Sequence, residues 1–464
     1  MMSTLEKILP IALLSMCASC TLPIRQESRP PNIIYIMADD LGWGDLGCYG
    51  QQLLQTPRID QFAREGIRFT DHYSGHTVCR PSRLVLWTGM HSGHTALQSN
   101  AYYQFEGAER TVVEILKEAG YATAGCGKWA MGRLGSAGHP NKKGFDDWFG
   151  YLDQGDAHNY YPTHLWHNDQ KIPLAGNVTA GKKGSKAFYS VKRETYSHDV
   201  IVDWLLAWIR EHASVPFLMH AHLTIPHTNN EQGGATGNGM EVPDLGVYST
   251  RDWPEPEKGF AAMISLLDRD VGRILDLLAE LGIEKETLVI FTSDNGPHSE
   301  GGHDHEYFDS NGPFRGHKRD LLEGGIRVPM LARWPGMIAA GATSDHPSSF
   351  QDFLPTACDL ADIPVPDGID GISYLPTMLG QKGQRSHEQL YWRFKEEEAL
   401  RRGRWKILRK NPGAPVILHD LQEDPGEERN LADSHPAVAE DLLVRMNGIR
   451  FQVEEAQGIP AGDF

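Results

Sequence analysis

Two short apolar runs, residues 32–37 and 287–291, dominate the hydrophobic pattern of the chain. Both are continuous rather than alternating, and both are rich in Ile, Val and aromatic residues. Continuous runs of this length are typical of strands that are buried on both faces, as in a parallel sheet. The pattern therefore predicts two central strands.

Helical periodicity fills much of the chain between these runs. Residues 196–212 and 258–281 each carry an apolar stripe at helical spacing, and residues 216–220 predict a further strand between them. Alternating strands and helices indicate an α/β fold with a mostly parallel sheet flanked by helices. The Trp and Leu side chains of the stripes are expected to pack in the core.

The pattern changes from about residue 380. Short β-type runs at residues 388–394, 399–408 and 416–421 are followed by a helical pattern at 436–456. This order predicts a small antiparallel sheet with a packed C-terminal helix. The expected division of the chain is a signal segment, a large domain and a C-terminal α+β subdomain, at residues 1–20, 30–380 and 381–464.

Charge and cysteine content narrow the choice of function. The 464 residues include 44 Lys and Arg against 61 Asp and Glu, a formal net charge of −17. This excess of acids argues against broad nucleic-acid binding, which needs clustered cations, but leaves room for a locally basic pocket. The six Cys are not expected to form a disulfide framework, because a core of this size is stable without such cross-links. The sequence leaves undecided whether Cys48 and Cys126 form a disulfide.

The N-terminus has the pattern of a secretory signal peptide. Lys7 precedes an apolar run at residues 8–16, and small residues follow up to Cys20. The run is too short for a membrane span, and the alternative is an amphipathic first helix. Cys20 also resembles a bacterial lipoprotein cleavage site. We expect export to the periplasm, or to the outer membrane or cell surface with a lipid anchor at Cys20.

Polar pairs follow both predicted central strands. Asp39 and Asp40 follow the first, and Asp294 and Asn295 follow the second. Ligand sites in open α/β sheets lie at the carboxyl ends of strands. Four oxygen donors without the His or Cys spacing of a zinc site suit a hard cation such as Ca²⁺ or Mg²⁺. The alternative is ordinary strand-exit turns or helix caps.

Cys79 is expected just before a helix, because Pro81 is favoured in a first helical turn. The helix dipole and Arg83 would there stabilise negative charge. From the residues alone, Cys79 is either a thiolate nucleophile activated by that field or a buried Cys beside an exposed basic turn.

Cys79, Pro81 and Arg83 also resemble the signature of the formylglycine-dependent (type I) sulfatases, with matching LWTG at residues 86–89. Within that family the chain is similar to exported bacterial sulfatases related to arylsulfatase A and N-acetylgalactosamine-6-sulfatase. The resemblance runs from about residue 31 to residue 435. Further matches, in the family's order, are PNII at 31–34, ADDLG at 38–42, TPxID at 56–60, GKW at 127–129, PH at 226–227, SDNG at 293–296, RGxK at 315–318, EGGxRVP at 323–329, DPGE at 424–427 and NL at 430–431.

The resemblance implies an alkaline phosphatase-like fold and a role for each matched residue. Cys79 would be oxidised to formylglycine by a formylglycine-generating enzyme, and the hydrated aldehyde would supply the nucleophilic oxygen and expel sulfate afterwards. Arg83 would hold this group, and His227 would face the bridging oxygen as the acid for the departing alcohol. Lys128 and Lys318 would contact the sulfate oxygens. The implied Ca²⁺ ligands are Asp39, Asp40, formylglycine 79, Asp294 and Asn295.

One position departs from the family pattern. Many relatives have His after Gly-Lys-Trp, where this chain has Ala130. That His is assigned the base role in releasing sulfate from the enzyme. By residue type alone, His91, His94 and His158 are the candidates to replace it.

The implied reaction is hydrolysis of a sulfate ester, and a sulfated galactan or glycosaminoglycan fragment is the expected substrate. Residues 150–168 are rich in aromatic and polar groups, which suit sugar rings but equally suit ordinary loop packing. One alternative is a phosphatase or phosphonate hydrolase of the alkaline phosphatase superfamily. Another is a protein that binds sulfated glycans without turnover, which Ala130 favours.

Overall fold

The computed structural model describes residues 29–181 and 188–456. The predicted signal peptide and Cys20 lie outside these residues. The α-helices are α1 (Pro57–Glu65), α2 (Cys79–Thr88), α3 (Val112–Glu118), α4 (Ser197–His212), α5 (Asn230–Thr236), α6 (Glu255–Glu280), α7 (Glu323–Ile326), α8 (Phe353–Leu360), α9 (Leu375–Met378) and α10 (Pro436–Ala456). The β-strands are β1 (Asn32–Asp39), β2 (Ile67–Phe69), β3 (His72–Tyr73), β4 (Ala122–Lys128), β5 (Asp147–Tyr151), β6 (His164–His167), β7 (Gln170–Pro173), β8 (Val178–Thr179), β9 (Ser190–Lys192), β10 (Phe217–Pro226), β11 (Thr287–Ser293), β12 (Met330–Arg333), β13 (Ala342–Ser344), β14 (Ser348–Ser349), β15 (Leu390–Phe394), β16 (Glu397–Arg402), β17 (Trp405–Arg409) and β18 (Ile417–Asp420).

A ten-stranded sheet forms the centre of the molecule, in the order β13-β2-β12-β11-β1-β10-β4-β5-β6-β7. Strands β11, β1, β10, β4 and β5 run parallel to one another, and antiparallel strands follow on both sides of this block. The carboxyl ends of β11, β1, β10 and β4 therefore meet at one edge. This confirms the predicted mixed, mostly parallel α/β sheet.

Both faces of the sheet are covered by helices, as the continuous apolar runs predict. In β1, Ile34 and Ile36 pack with α1, α4 and α6 on one face. Ile33 and Tyr35 pack with α2, α3 and α8 on the other. Alternate side chains of one strand thus enter two separate cores, so the strand is apolar throughout.

The C-terminal part forms a four-stranded antiparallel sheet, β15-β16-β17-β18, with α10 packed against it through Leu442 and Met446. The single strand predicted at residues 399–408 is wrong, because two strands, β16 and β17, occupy this stretch. Gly403 lies between them with a φ of 59°. Gly adopts this left-handed conformation at little cost, which permits a tight hairpin inside an apolar run.

A cluster of buried charges connects the C-terminal four-stranded sheet to α7, and we call it the anchor cluster: Glu323, Arg327, Lys406 and Glu427. Lys406 Nζ lies 2.8 Å from Glu323 Oε1 and 2.9 Å from Glu427 Oε1. Glu323 Oε2 lies 2.7 Å from Arg327, and Glu427 Oε2 accepts from the Glu323 backbone N–H at 2.6 Å. Glu323 opens α7, so residues from both parts of the chain hold this helix in place.

All four described cysteines are free thiols, so Cys48 and Cys126 do not form the pair that the sequence left open. Among the helices of residues 29–181 and 188–456, none is long and apolar enough to cross a membrane.

Candidate active site

The two polar pairs lie side by side at the carboxyl edge of the sheet. Ala38 pairs with Ser293 in the β1–β11 register, which places the residues that follow them in contact. The backbone N–H of Asp40 donates to Asp294 Oδ1 at 3.1 Å, and Asn295 Nδ2 donates to Asp40 Oδ1 at 2.7 Å. Asp40 has a φ of 66°, which turns the chain sharply as it leaves β1.

Three cations from three other elements face these acids. Lys128, the last residue of β4, places Nζ 2.6 Å from Asp39 Oδ2. Lys318, in the loop before α7, places Nζ 2.8 Å from Asp40 Oδ2. We call the resulting set of buried charges the active centre; its six members, none more than 2% exposed, are Asp39, Asp40, Asp294, Lys128, Lys318 and Arg83.

Arg83 joins the helix that carries Cys79 to these acids. Its Nη2 lies 2.7 Å from Asp294 Oδ2, and its Nη1 donates to the Lys128 carbonyl at 2.9 Å. Because both Arg80 and Arg83 are buried, the interpretation of an exposed basic turn is wrong.

Cys79 is the first residue of α2, so the helix begins one residue earlier than predicted. Pro81 is then third in the helix, where it is tolerated because the first N–H groups of a helix have no partner within it. Cys79 Sγ is fully buried, 3.3 Å from Asp39 Oδ1 and 3.9 Å from Asp40 Oδ1. Burial and the charge of Asp39 raise the pKa of the thiol well above its usual value, so these surroundings do not activate a thiolate.

The donor set of this centre fits a hard cation. Asn295 Oδ1 is buried and has no hydrogen-bond partner among the described residues. Donor atoms of Asp39, Asp40, Cys79 and His227 lie within 4.8 Å of one another. Burial and the charge of Asp39 raise the pKa of Asp294 to about 7, as expected where carboxylates are crowded together. A divalent cation would offset this crowding and give Asn295 Oδ1 a partner.

His227 contacts the same centre from the end of β10. Its Nδ1 lies 2.6 Å from the Thr228 carbonyl, which can only accept, so Nδ1 carries a hydrogen. Its Nε2 lies 3.3 Å from Lys318 Nζ and 3.5 Å from Asp40 Oδ2. Burial and the charge of Lys318 hold the pKa of the imidazole well below its usual value. In the neutral ring, Nε2 therefore accepts a hydrogen bond from Lys318.

Of the three histidines considered as replacements at the Ala130 position, the structure brings only His158 to the centre. Its ring stacks on His227 with centroids 4.8 Å apart. His91 and His94 follow the C-terminal end of α2, which by its ten residues lies about 15 Å from Cys79. Both contact Asp370 instead.

Three contacts of the site were missed by the sequence reasoning. Glu300 Oε2 lies 3.2 Å from Lys318 Nζ, Glu231 Oε2 lies 3.4 Å from His158 Nδ1, and His222 Nδ1 lies 3.1 Å from Arg83 Nη1. His222 lies within an apolar strand, where a buried His is also an ordinary core residue. Glu231 and Glu300 lie in polar loops and helix starts that carry no recognisable spacing.

The buried Cys79, three cations and a cluster of oxygen donors lie together at the carboxyl edge of a mixed sheet, as expected for an ester hydrolase of the alkaline phosphatase-like fold. The chain belongs to the type I sulfatase family, whose members are sulfuric ester hydrolases. The Sulfatase family model matches residues 31–363. The model for the C-terminal part of N-sulphoglucosamine sulphohydrolase matches residues 304–452.

Characterised sulfatases are similar over most of the chain. Human arylsulfatase A is 34% identical over 472 residues, covering 90% of this chain and 86% of that protein. Rat N-acetylgalactosamine-6-sulfatase is 34% identical over 380 residues, covering 76% of this chain and 66% of that protein.

Solved structures agree on the architecture. Ps i-CgsB has a TM-score of 0.77 at 28% identity, covering 90% of this chain and 92% of its own, and is also solved with k-i-k-neocarrahexaose. A Bacteroides thetaiotaomicron protein of a locus for glycosaminoglycan metabolism has a TM-score of 0.74 at 26% identity, covering 91% of this chain and 100% of its own. A phosphonate monoester hydrolase of Agrobacterium radiobacter, 19% identical with a TM-score of 0.63, covers 91% of this chain and 96% of its own and shares the fold alone.

Proposed function

We propose that this sulfatase hydrolyses a sulfate ester on a carbohydrate, using formylglycine made from Cys79 and a bound Ca²⁺. The observation that carries the proposal is the convergence, at one edge of the sheet, of Cys79 Sγ, three buried cations and Asn295 Oδ1, which has no partner within residues 29–181 and 188–456. Asp39, Asp40, Asp294 and Asn295 would hold the Ca²⁺ together with the group at position 79. The hydrated aldehyde would supply the nucleophilic oxygen, and the cation would polarise the sulfate.

The buried cations would bind the negative charge of the sulfate group. Lys128 and Lys318 are fixed by ion pairs of 2.6 and 2.8 Å and are almost fully buried, so little reorganisation is needed as charge develops. Arg83 keeps the N-terminus of α2 against Asp294, and thereby keeps residue 79 next to the acids. Without a cation the acids of the active centre, with Glu300 beside Lys318, offset its three positive side chains. A divalent cation adds the positive charge that an anionic ester requires.

Lys318 and His227 together would move the proton to the departing alcohol. The neutral His227 ring presents its Nε2 lone pair to Lys318 and so cannot itself donate from that atom. The ammonium group of Lys318, which holds protons and lies 3.3 Å away, would pass one to His227 or directly to the bridging oxygen. His227 would be the last side chain between the centre and the alcohol.

The test is sulfate release by the full-length protein, co-expressed with a formylglycine-generating enzyme. The substrates are a panel of sulfated galactose, galactosamine and glucosamine derivatives, their oligosaccharides, and an aryl sulfate. We expect release from at least one sugar, with the release lost in Cys79→Ala and in calcium-chelated enzyme.

Two results would contradict the proposal. Formylglycine confirmed at position 79 by peptide mass, without sulfate release from any substrate of the panel, would overturn the proposed function. Release that survives calcium chelation would overturn the assignment of Ca²⁺. A fall in release with Cys79→Ala but no change on chelation would retain the nucleophile and reject the metal.

We further propose that the protein is exported through its N-terminal signal, with a lipid anchor at Cys20, and that residues 30–380 and 381–464 are its catalytic domain and C-terminal subdomain. The support is the sequence pattern of residues 1–20 and the separate four-stranded sheet after residue 380. Radiolabelled palmitate incorporation into wild type but not Cys20→Ala is the expected result. Labelling of both proteins or of neither would reject the anchor.

A further inference from the structure

Side chains become steadily more exposed from the active centre outward, along two stacked histidines. The side chain of Asp40 is fully buried and that of His227 is 3% exposed. Next to His227 lies His158, with its ring nearly parallel at 17° and its side chain 17% exposed. Glu231, which contacts His158, is 29% exposed. His158 is therefore at the rim of the site on the side of His227.

The geometry fixes which atom of His158 is available to a ligand. Its Nδ1 lies 3.4 Å from Glu231 Oε2, and a carboxylate only accepts, so Nδ1 carries the hydrogen. When the ring carries this one hydrogen, Nε2 has a lone pair, and the described residues offer it no hydrogen bond. Tyr160 donates its hydroxyl to the Thr224 and His227 carbonyls and so ties the rim segment to the end of β10.

We propose that His158, oriented by Glu231, accepts a hydrogen bond from a hydroxyl of the sugar beside the sulfated carbon and thereby selects the substrate. This inference rests on the proposed function. There the bridging oxygen faces His227, so the rest of the alcohol must extend past His227 toward solvent. His158 stacks on His227 and is more exposed, so it lies on that path.

A sugar hydroxyl is the matching donor because it is neutral and carries the hydrogen that Nε2 lacks. An alcohol without that hydroxyl would leave a half-buried acceptor unpaired, and such a mismatch costs about 1–3 kcal/mol. This corresponds to roughly 5- to 150-fold in kcat/KM, because each 1.4 kcal/mol is a factor of ten. An aryl sulfate has no such hydroxyl and makes no use of the acceptor.

The experiment compares kcat/KM for the best sulfated sugar and for an aryl sulfate, in wild type, His158→Ala and His158→Phe. Phe keeps a flat ring against His227 but has no acceptor. We expect both variants to lose at least about fivefold more on the sugar than on the aryl sulfate. Glu231→Gln should lose less on the sugar, because Gln can still accept from Nδ1. His94→Ala, beyond the far end of α2, is the matched control and should match wild type on both.

Each other outcome overturns the inference. Equal losses on both substrates would mean that His158 supports the chemical step, and full activity of His158→Phe on the sugar would mean that stacking suffices. Unchanged kinetics in both variants would remove His158 from recognition. A wild-type protein active on the aryl sulfate but on no sugar would also reject the role of His158 in substrate selection. A wild-type protein that carries formylglycine but is inactive on every substrate would reject the proposed function itself.

Discussion

The active centre and the anchor cluster are both built from buried acids and cations, but they differ in what their oxygen atoms contact. In the anchor cluster, all four carboxylate oxygens of Glu323 and Glu427 lie within 2.9 Å of a nitrogen; Glu427 Oε1 makes no well-aligned hydrogen bond, but Lys406 is its ion-pair partner. In the active centre, Asn295 Oδ1 has neither a hydrogen bond nor a charged partner among the described residues, and Cys79 Sγ faces two carboxylates. A buried network in which every acid has a cation holds a fold together, whereas a buried oxygen with no partner at all leaves a place for a ligand.

The two networks are also connected along the chain. Lys318 of the active centre precedes Glu323 of the anchor cluster by one short loop, and the Gly324 backbone N–H donates to the Arg315 carbonyl at 2.9 Å across it. The anchor cluster therefore fixes the segment that presents Lys318. Breaking each network separately should show which one supports stability and which one supports chemistry.

The largest effect is expected from Lys406→Met in the anchor cluster. Removing the shared cation leaves Glu427 buried without a cation and Glu323 with Arg327 alone, and breaking such a buried pair costs about 3–5 kcal/mol. Urea unfolding monitored by fluorescence should show this loss, while the molecules that remain folded keep more activity than Lys318→Ala. An unfolding free energy within 1 kcal/mol of wild type would contradict the structural role.

Lys318→Ala should have the opposite effect to Lys406→Met, with a large loss of activity and a smaller loss of stability. Loss of one preorganised charge at the reacting group is expected to lower kcat by about 10²–10³-fold. The measurement is sulfate release at saturating substrate, with the exposed Lys142→Ala as the control for a lost surface charge. A reduction below tenfold would exclude Lys318 from direct contact with the sulfate.

Calcium should stabilise the active centre and leave the anchor cluster unaffected. At free Ca²⁺ of about 100 times Kd, mass action adds about 2.7 kcal/mol to the free energy of unfolding. Unfolding curves with Ca²⁺ and with a chelator should show this gain in wild type and in Lys406→Met. Asn295→Leu should show no such gain in unfolding free energy, and a full gain in this variant would mean that the ion binds elsewhere.

Acid should weaken the anchor cluster, and this is the smallest of the four effects predicted for the two networks. Burial alone would raise the pKa of Glu323, but the charges of Lys406 and Arg327 outweigh it and hold the pKa well below the usual 4.5. The stabilisation is therefore present above pH 4.5 and is lost as pH falls toward the folded-state pKa. The difference in unfolding free energy between wild type and Glu323→Gln should shrink between pH 5 and pH 3. A constant difference would indicate that the charge of Glu323 is unimportant.

Much of the fold follows from local pattern. The helices predicted at 196–212 and 258–281 and the two central strands were found within a few residues of their expected positions, because burial on one or both faces leaves a regular apolar period. The hairpin at Gly403 was missed, since the apolar run continues through both strands and a single Gly is also compatible with one strand.

The site was predictable where residues follow strands or match a family motif, and unpredictable where contact depends on the tertiary fold. Asp39, Asp294 and Cys79 belong to such patterns. The stacking of His158 on His227 joins a turn after β5 to the end of β10, and no spacing in the sequence encodes that approach. Ala130 raises the question of a replacement histidine, and the sequence offers His91, His94 and His158 equally. Only the arrangement of loops around β10 places His158, and not the other two, beside His227.

Glu427 is made about 350 residues after Cys79, and this order has a consequence for biosynthesis. At 5–20 residues per second, the ribosome needs roughly 20 to 70 s to pass from one to the other. Throughout that interval the anchor cluster lacks an acid and the Lys318 segment lacks its final support. The proposed maturation enzyme, which would need Cys79 accessible, would therefore have a window set by translation speed, and slower translation should raise the modified fraction.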